Sequence, residues 1–569
     1  MTANGWLQII LLFGAVVLLT KPLGLYMFKV FSGERTWLSS VLRPVERGLY
    51  RVSGVDDEKE QGWLAYAISL LLFSLVGLFV TYILERTQGG LPLNPANLPA
   101  VTPGAAFNTA VSFTTNTNWQ VYGGESTMSY LTQMMGLAVH NFTSAAAGIG
   151  VALALIRGIS RRRADTVGNF WVDLTRSILY VLLPMSIVVA LILVWQGVPQ
   201  TLGNYTHATG LEGVAQTIAR GPVASQIAIK QLGTNGGGFF NSNSAHPLEN
   251  PTPFSNFVEC LAIIVLPAAL TYTYGRWVGN TRQGWTLFAA MAAVYVGAVF
   301  VAYWSEARNN PALSGLHINQ AIGNMEGKEV RFGVPLSALW AVTTTVTSNG
   351  SVNSMHDSFN AIGGMVPLAD MHLGEVIFGG IGTGLSGMLL FALLAVFLAG
   401  LMVGRTPEYL GKKVQSYEIK MVAAAILLFP AAVLAFTGVA AVTTWGTATL
   451  NNAGPHGFSE MLYLFTSQGA NNGSAFAGIG ANTGFYNSAG GFAMMICRFL
   501  IIIVTLAVAG SLARKQPVPA GLGTFPTTGV LWVGLLAGVV LIVGLLTFFP
   551  ALALGPIAEH FMGNAGITF

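Results

Sequence analysis

Long apolar runs separated by shorter polar segments dominate the chain from end to end. Ten of these runs are long enough to cross the roughly 30 Å apolar core of a bilayer, which takes a helix of about 20 residues. They begin near Trp6, Trp63, Met128, Ser177, Phe257, Trp285, Glu375, Met421, Ala489 and Gly529. The pattern therefore predicts an all-α polytopic membrane protein with ten transmembrane helices.

The composition supports a chain that lies in lipid. Of its 569 residues 53% are hydrophobic and only 9% are charged, whereas soluble domains carry about a quarter charged residues. The first run contains Lys21 and Pro22 and lacks a small-residue cleavage site, so it is interpreted as a retained span. Cys260 and Cys497 both lie inside apolar runs, and no disulfide framework is predicted.

Basic residues are concentrated in alternate connections between the runs. These connections lie at 29–62, 157–163, 276–282, 405–420 and 514–515. Cytoplasmic loops carry an excess of lysine and arginine, so these connections are predicted to lie inside and both termini outside. This topology accounts for the net charge of +4, and no nucleic acid partner is expected.

Four polar loops recur among the apolar runs, about 120 residues apart. They are SFTTNTNWQ (112–120), KQLGTNGGGFFN (230–241), TTTVTSNGSVN (343–353) and FTSQGANNGSAF (465–476). Such a period is the mark of an internal repeat. Aligning the loops on Asn116, Asn235, Asn349 and Asn472 gives a shared core, in which Thr117 stands where the other loops have glycine.

Each loop follows a stretch that can form a short helix, and two of these stretches begin with Pro222 and Pro335. Proline is tolerated in a first helical turn. The chain is thus predicted to contain four repeats of helix, re-entrant loop and helix, with one extra span at each end.

The chemistry of the loops favours a monovalent cation. Non-helical backbone at membrane depth is tolerated only where protein buries it or a watery cavity adjoins it. Glycine at 236–238, Gly350 and Gly473 permits backbone angles that turn carbonyl groups toward one axis. The short helices would direct their negative dipole ends there. The four loops contain no Asp or Glu, and rings of neutral oxygens suit potassium.

Three motifs carry a resemblance to a known family. They are GTNGGGFFNSNSAHPLENPTP (233–253), GLMVGRTPEYLGKK (400–413) and NNGSAFAG (471–478). With the four loops, they resemble the potassium-binding A subunits of bacterial Kdp-type potassium-transporting ATPases, over essentially the whole chain. The resemblance implies the fold of potassium channels and transporters with helix-pore-helix repeats, although the channel filter sequence TVGYG is absent.

The resemblance also implies a selectivity filter and an ion entrance at Gln120. The implied filter residues are Thr115, Asn116, Thr117 and Asn118; Thr234, Asn235, Gly236 and Gly237; Ser348, Asn349, Gly350 and Ser351; and Asn471, Asn472, Gly473 and Ser474. The predicted divisions are 1–62 (first span and basic inner loop), 63–157 (repeat 1, filter 114–120), 171–276 (repeat 2, filter 233–238), 285–404 (repeat 3, filter 346–351), 420–512 (repeat 4, filter 467–474) and 527–569 (last span and outer C-terminus).

An energy source for transport is missing from the sequence, which contains neither a GxxxxGK[ST] phosphate loop nor a DKTG phosphorylation motif. The resemblance implies partners that supply it: a P-type ATPase B subunit, a C subunit and a small F peptide, in the bacterial cytoplasmic membrane. Potassium is then the transported ion, with no cofactor or other metal. A stand-alone or regulator-gated potassium transporter is the alternative. A membrane enzyme is disfavoured because no acid-base pair, nucleophile or metal motif is found.

Charged residues inside the apolar runs are a second sign of transport. Glu259, Glu375 and Arg498 lie in or at the ends of helices that follow a polar loop, and intramembrane charges usually mark a pathway or a paired site. A structural salt bridge between Arg498 and Glu375 is the alternative. The resemblance places these two residues at the mouth of a tunnel toward a partner, and Arg405 beneath the filter on the inner side.

The seventh apolar run is interrupted by the segment FGGIGTGLSG, residues 378–387. It is predicted to break the helix and form a flexible constriction below the third loop, and a close-packed face of small residues is the alternative. A formal GxGxxG at Gly382, Gly384 and Gly387 does not indicate a nucleotide site, because no strand precedes it.

Overall fold

Helices make up most of the computed structural model, which describes residues 1–402, 404–519, 521 and 524–567. Ten helices in this part of the chain are long and apolar enough to cross a membrane, and the predicted number of spans is confirmed. The protein is therefore a multi-pass membrane protein.

Most elements are α-helices, and the strands are few and short. The helices are α1 (Ala3–Phe31), α2 (Ser39–Ser53), α3 (Trp63–Thr87), α4 (Pro103–Thr114), α5 (Gly124–Thr127), α6 (Val139–Ser160), α7 (Phe170–Arg176), α8 (Leu183–Trp195), α9 (Val223–Leu232), α10 (Pro253–Trp277), α11 (Thr281–Glu306), α12 (Gly333–Val346), α13 (Ala361–His372), α14 (Thr383–Met402), α15 (Ser416–Val442), α16 (Thr444–Thr447), α17 (Gly454–Ala470), α18 (Gly484–Met495), α19 (Ile501–Arg514), α20 (Val530–Leu552) and α21 (Ala558–Asn564). Two small antiparallel hairpins join β1 (Thr206–Thr209) to β2 (Ala215–Ile218) and β3 (Glu408–Tyr409) to β4 (Lys412–Lys413).

Four helix-pore-helix repeats form the body of the fold, as predicted. In each repeat a short buried helix stands between two spans, and the four short helices are α4, α9, α12 and α17. Helices α1 and α20 are the extra spans at the two ends. Several spans contain a π-helical turn, at Thr132–Ala138, Ser177–Leu182, Ile496–Leu500 and Ala553–Ile557.

The short helices begin and end where the sequence requires it. Helix α4 starts with Pro103, α9 follows Pro222, and α12 has Pro335 in its first turn. Proline suits these positions because the first helical N–H groups have no partner within the helix. A residue in the left-handed conformation follows the end of each of the four helices within two positions, such as Asn471 directly after α17 (φ 60°). Every one therefore ends at a polar loop.

The inner helix of the third repeat is broken, as FGGIGTGLSG predicted. Helix α13 ends at His372 and α14 begins at Thr383. In the intervening loop Glu375, Phe378 and Gly382 have φ angles of 49°, 50° and 86°. The seventh span starts at Thr383 and not near Glu375, because these left-handed residues interrupt the helix; the predicted start was wrong.

A buried ion pair joins the first two repeats on the predicted inner side. The Arg157 guanidinium donates two hydrogen bonds to the carboxylate of Asp173, at 2.6 and 2.7 Å. The hydroxyl of Tyr66 donates to the same carboxylate at 3.0 Å, and Arg157 and Asp173 are 7% and 1% exposed. A two-pronged arginine-carboxylate pair of this kind fixes both the distance and the orientation of its helices.

We expect Arg157→Ala to destabilise the fold by about 3 to 5 kcal/mol, because it leaves the Asp173 charge buried without a partner. Thermal unfolding in detergent measures this, with Arg514→Ala as the control. Arg514 pairs with Asp165, but both side chains are largely exposed, so the control should unfold near the wild-type temperature. Equal unfolding temperatures for the two variants would show that the buried pair is not structurally important.

Candidate ion-binding site

The four polar loops meet around one axis. Three of their glycines lie so close to the next loop that an added Cβ atom would collide with a carbonyl oxygen there. The pairs are Gly236 with Asn349, Gly350 with Asn472, and Gly473 with Thr117. Contacts therefore run from the second loop to the third, from the third to the fourth, and from the fourth back to the first.

Hydrogen bonds from the first loop to the second close the ring. The side-chain amides of Asn116, Asn118 and Gln120 donate to the carbonyl oxygens of Thr234, Gly236 and Gly238, at 2.8, 3.1 and 2.9 Å. Gln120 also accepts a bond from the N–H of Gly238 at 2.9 Å. These three donors stand at every second residue of the first loop, and their bonds hold the two loops in a fixed register.

Backbone conformation repeats in all four loops. Residues with positive φ stand two apart, with a residue of negative φ between them: Asn116 and Asn118, Thr234 and Gly236, Ser348 and Gly350, Asn471 and Gly473. The second loop has one more, Gly237 (φ 66°), directly after Gly236. Alternation of left- and right-handed residues turns successive N–H groups to one side of a chain, and the carbonyl groups then face the other side together. A shared conformation of this kind lets one strand present several oxygens in a row.

These contacts correct the predicted alignment by one residue in the first loop. Thr117, not Asn116, is equivalent to Asn235, Asn349 and Asn472, because each of Thr117, Asn349 and Asn472 lies against the preceding loop's glycine. Asn118, not Thr117, stands where the other loops have glycine. Thr115 therefore lies one position too early, and Trp119 was missed. We define the filter loops as Asn116–Trp119, Thr234–Gly237, Ser348–Ser351 and Asn471–Ser474.

A cavity of about 130 Å³ adjoins the filter loops on the side of the broken helix. Its walls include Ser348 and Asn471 of the filter loops, together with Glu375 and Arg498. Further wall residues come from α15, α19 and α20, so the cavity extends sideways from the axis. The structure thus brings together two of the predicted pathway residues.

Glu375 and Arg498 do not form the salt bridge considered above, although both belong to the described part of the chain. Glu375 accepts a hydrogen bond from the side-chain amide of Asn472 at 2.7 Å. Arg498 donates to the carbonyl oxygen of Ser144 at 3.2 Å. Each of the two side chains is therefore hydrogen-bonded to a neutral group, and both line the cavity.

The broken-helix loop also contacts the filter directly. The N–H of Ile381 donates to the hydroxyl of Thr234 at 2.8 Å, while an added Cβ on Gly380 would lie 3.1 Å from the Cβ of Ser348. The segment that contains Glu375 is thus attached to the second and third filter loops.

Two predicted positions lie elsewhere. Arg405 is exposed on the predicted inner side and is not part of the cavity wall. Glu259 accepts hydrogen bonds from Gln231 and Ser244, at 2.8 and 2.9 Å, so it lies behind the second filter loop and not along the cavity. Its place after a polar loop in the sequence did not show which way its side chain points.

One histidine lies in a cluster of acidic residues. Ligand atoms of Asp357, His456 and Glu460 lie within 4.8 Å of one another. Burial alone would lower the pKa of His456, but hydrogen bonds to Asp357 and Glu559, at 3.0 and 2.9 Å, raise it to about 10. Both ring nitrogens of the resulting imidazolium are donors, so the ring has no lone pair for a metal.

Known proteins resemble this chain along its full length. The family model described as "Potassium-transporting ATPase A subunit" matches residues 10–561. A "Potassium-transporting ATPase potassium-binding subunit" of Mesorhizobium japonicum is 60% identical over 569 residues, all of both chains. Its namesake in Methylobacterium nodulans is 61% identical over 570 residues, covering 100% of this chain and 99% of that one.

A solved structure shares the fold. The potassium transporter TrkH from Vibrio parahaemolyticus superimposes with a TM-score of 0.50 and 12% sequence identity, over 77% of this chain and 84% of that one. At this identity the match concerns the fold alone. The full-length family match and the relatives at about 60% identity decide the family: the chain belongs to the potassium-transporting ATPase A subunits.

Proposed function

We propose that this protein binds potassium between its four filter loops and passes it across the membrane. In this role it is the ion-selecting, non-catalytic subunit of an ATP-driven, high-affinity uptake complex. The observation that carries the proposal is the closed ring of contacts among the filter loops, whose residues offer only neutral oxygens. The printed names of the relatives, which are potassium-binding subunits of potassium-transporting ATPases, point to the same ion.

The electrostatics of the ring favour a cation. Helices α4, α9, α12 and α17 all end one or two positions before a filter loop, and a helix C-terminus carries about half a negative elementary charge. Carbonyl and hydroxyl oxygens can replace the water around a large monovalent ion, whereas no carboxylate belongs to the filter loops to hold a divalent ion. Potassium fits this field and donor set.

Beyond the filter, the cavity gives the ion a route. Glu375 offers a carboxylate beside Asn472 of the fourth filter loop, and Arg498 offers a positive charge on the wall of the same cavity, so a potassium ion in the cavity would be attracted by one and repelled by the other. We assign gating to this pair. Because α15, α19 and α20 contribute to the wall, the route leads sideways toward a partner. Exposed Arg405 would act only at the inner surface.

Hydrolysis belongs to a partner chain, since the sequence has no phosphate loop or phosphorylation motif. The proposed partners are a P-type ATPase B subunit, a C subunit and a small F peptide, assembled in the bacterial cytoplasmic membrane with both termini of this chain outside. A stand-alone or regulator-gated transporter would need no such complex.

Purification from the native membrane tests this function. We expect the chain to co-purify with a subunit of P-type ATPase size, and the preparation to hydrolyse ATP faster when potassium is added. Potassium uptake by the chain alone, without an associated ATPase, would instead favour the stand-alone transporter.

Substitution of a filter glycine tests the ring. We expect Gly236→Ala and Gly350→Ala to lower potassium affinity at least about tenfold, because left-handed backbone costs a residue with a Cβ roughly 1 to 3 kcal/mol and the Cβ would strike the next loop. Asp at either position adds a charge and should also admit other ions. The measurement is half-saturation of uptake for potassium and rubidium.

Gly438→Ala is the matched control, because Gly438 lies in α15 with nothing within 4 Å of an added Cβ. It should transport like wild type. If both filter variants kept wild-type affinity and discrimination, the filter assignment would be wrong.

Replacement of Arg498 separates transport from binding. We expect Arg498→Ala to reduce flux roughly tenfold, because an intramembrane charge in a pathway acts on the moving ion, while potassium affinity changes much less. Arg498→Lys keeps the charge and should recover part of the flux. Comparing maximal uptake with half-saturation in both variants measures the effect, and wild-type flux in Arg498→Ala would leave Arg498 a purely structural role.

A further inference from the structure

A lysine is completely buried behind the second filter loop. Lys230, in the last turn of α9, donates to the carbonyl oxygen of Gly237 at 2.9 Å and to the carboxylate of Glu249 at 2.5 Å. Neither charged side chain is exposed at all. The other oxygen of Glu249 accepts from the N–H of Phe240 at 2.9 Å. The pair thus connects α9, the last residue of the second filter loop and the segment that follows this loop.

The other three repeats have a hydroxyl at the position of Lys230. These residues are Ser112, Thr344 and Ser467. Ser112 donates to the carbonyl oxygen of Trp119 at 3.1 Å, which is the equivalent of the bond from Lys230 to Gly237. Thr344 and Ser467 also bond their own filter loops, at 3.3 and 3.0 Å. A neutral hydroxyl is therefore sufficient to hold a filter loop in this fold.

The carbonyl that Lys230 binds is equivalent to those of Trp119 and Ser351. In the third repeat the indole N–H of Trp340 donates to the Ser351 oxygen at 2.8 Å. All three oxygens are thus directed toward donors of their own repeat, but only the second meets a full positive charge. The ion pair is also costly, because moving two charges out of water is repaid only when their geometry is good.

We propose that Lys230 and Glu249 are specificity-determining positioning residues. The ammonium fixes the direction of the Gly237 carbonyl and gives the second filter loop a weaker oxygen field than its three neighbours, while Glu249 cancels the ammonium charge that would otherwise repel a cation. The pair makes the approximate fourfold ring electrostatically unequal. This inference rests on the proposed potassium-binding function.

The test replaces the charged pair with neutral residues, including the hydroxyl that the other repeats have at the position of Lys230. In Lys230→Ser combined with Glu249→Gln, the charges vanish together and a hydroxyl remains. We expect a folded protein whose preference for potassium over rubidium falls about threefold or more, since a carbonyl hydrogen-bonded to a charged donor is held more firmly than one bonded to a hydroxyl. The measurement is the ratio of half-saturation constants for the two ions, in protein purified with its natural partners.

A second buried lysine-glutamate pair provides the control. Lys328 and Glu306 are 2.7 Å apart and equally inaccessible, but Lys328 hydrogen-bonds no residue of the filter loops. Lys328→Ser with Glu306→Gln removes the same charges from a similar environment. It should lower the unfolding temperature without changing the ion ratio.

The single variants distinguish an electrostatic effect of the pair on the bound ion from structural support of the second filter loop. Glu249→Gln leaves an uncancelled ammonium and should weaken potassium affinity by about tenfold, whereas Lys230→Met leaves a carboxylate and should weaken it less. A purely structural pair would make the two variants alike and change all ions equally. Should the double variant fail to fold, Glu249→Asp withdraws the carboxylate by one methylene and is expected to lower the ion ratio more mildly.

The outcomes separate the two proposals. Wild-type protein without saturable potassium dependence would overturn the proposed function itself. A wild type that discriminates, beside a folded double variant or a Glu249→Asp variant with the wild-type ion ratio, would overturn the role of the pair. An equal shift in the Lys328 and Glu306 control would overturn it as well.

Discussion

Peptide groups that leave helical structure inside a membrane must find partners within the protein, because hydrocarbon offers none. This requirement organises the centre of the molecule. The filter loops satisfy it by bonding one another, as when Asn116 and Asn118 donate to the second loop, and by packing glycine against carbonyl. The four repeats therefore close into a ring, and the carbonyl oxygens that remain free are available to an ion. The ring is positioned by the four short helices α4, α9, α12 and α17, and by the spans around them, including the broken seventh span.

The ring is regular in its backbone but unequal in its chemistry. All four loops share a pair of left-handed residues two apart, yet the first has Asn118 where the others have glycine, and the second has a further left-handed residue at Gly237. Among the described residues, only the second loop is supported by a buried ammonium. Below the ring, the loop that contains Glu375 hydrogen-bonds the second and fourth filter loops and shares a cavity with Arg498. The proposed sites of ion selection and release are thus connected through a few hydrogen bonds, which provide a short physical path between them.

Hydropathy, together with the prolines and glycines that begin or interrupt helices, was enough to predict the architecture from the sequence. Ten apolar runs, Pro222 and Pro335 before short helices, and the glycines of residues 378–387 gave the spans, two of the pore helices and the broken helix, because these features act locally. The register of the first loop was not accessible in this way: Asn116 and Asn118 both fit an asparagine pattern, and only the contact of Thr117 with Gly473 fixes the register. Arg498 and Glu375 were considered as a pair, but pairing depends on distance in space. Lys230 is not predicted as a functional residue from the sequence, since its partner Glu249 lies nineteen residues later; its position in the apolar stretch IAIKQL is the available signal.

An alkali ion is expected to bind on the axis of the four filter loops. An experimental structure determined with rubidium or thallium would show the position of this ion. Anomalous scattering from either ion marks its position independently of the protein. We expect a peak surrounded by main-chain oxygens of all four loops, Asn116–Trp119 among them. A peak bound by side-chain carboxylates elsewhere, with none between the loops, would contradict it.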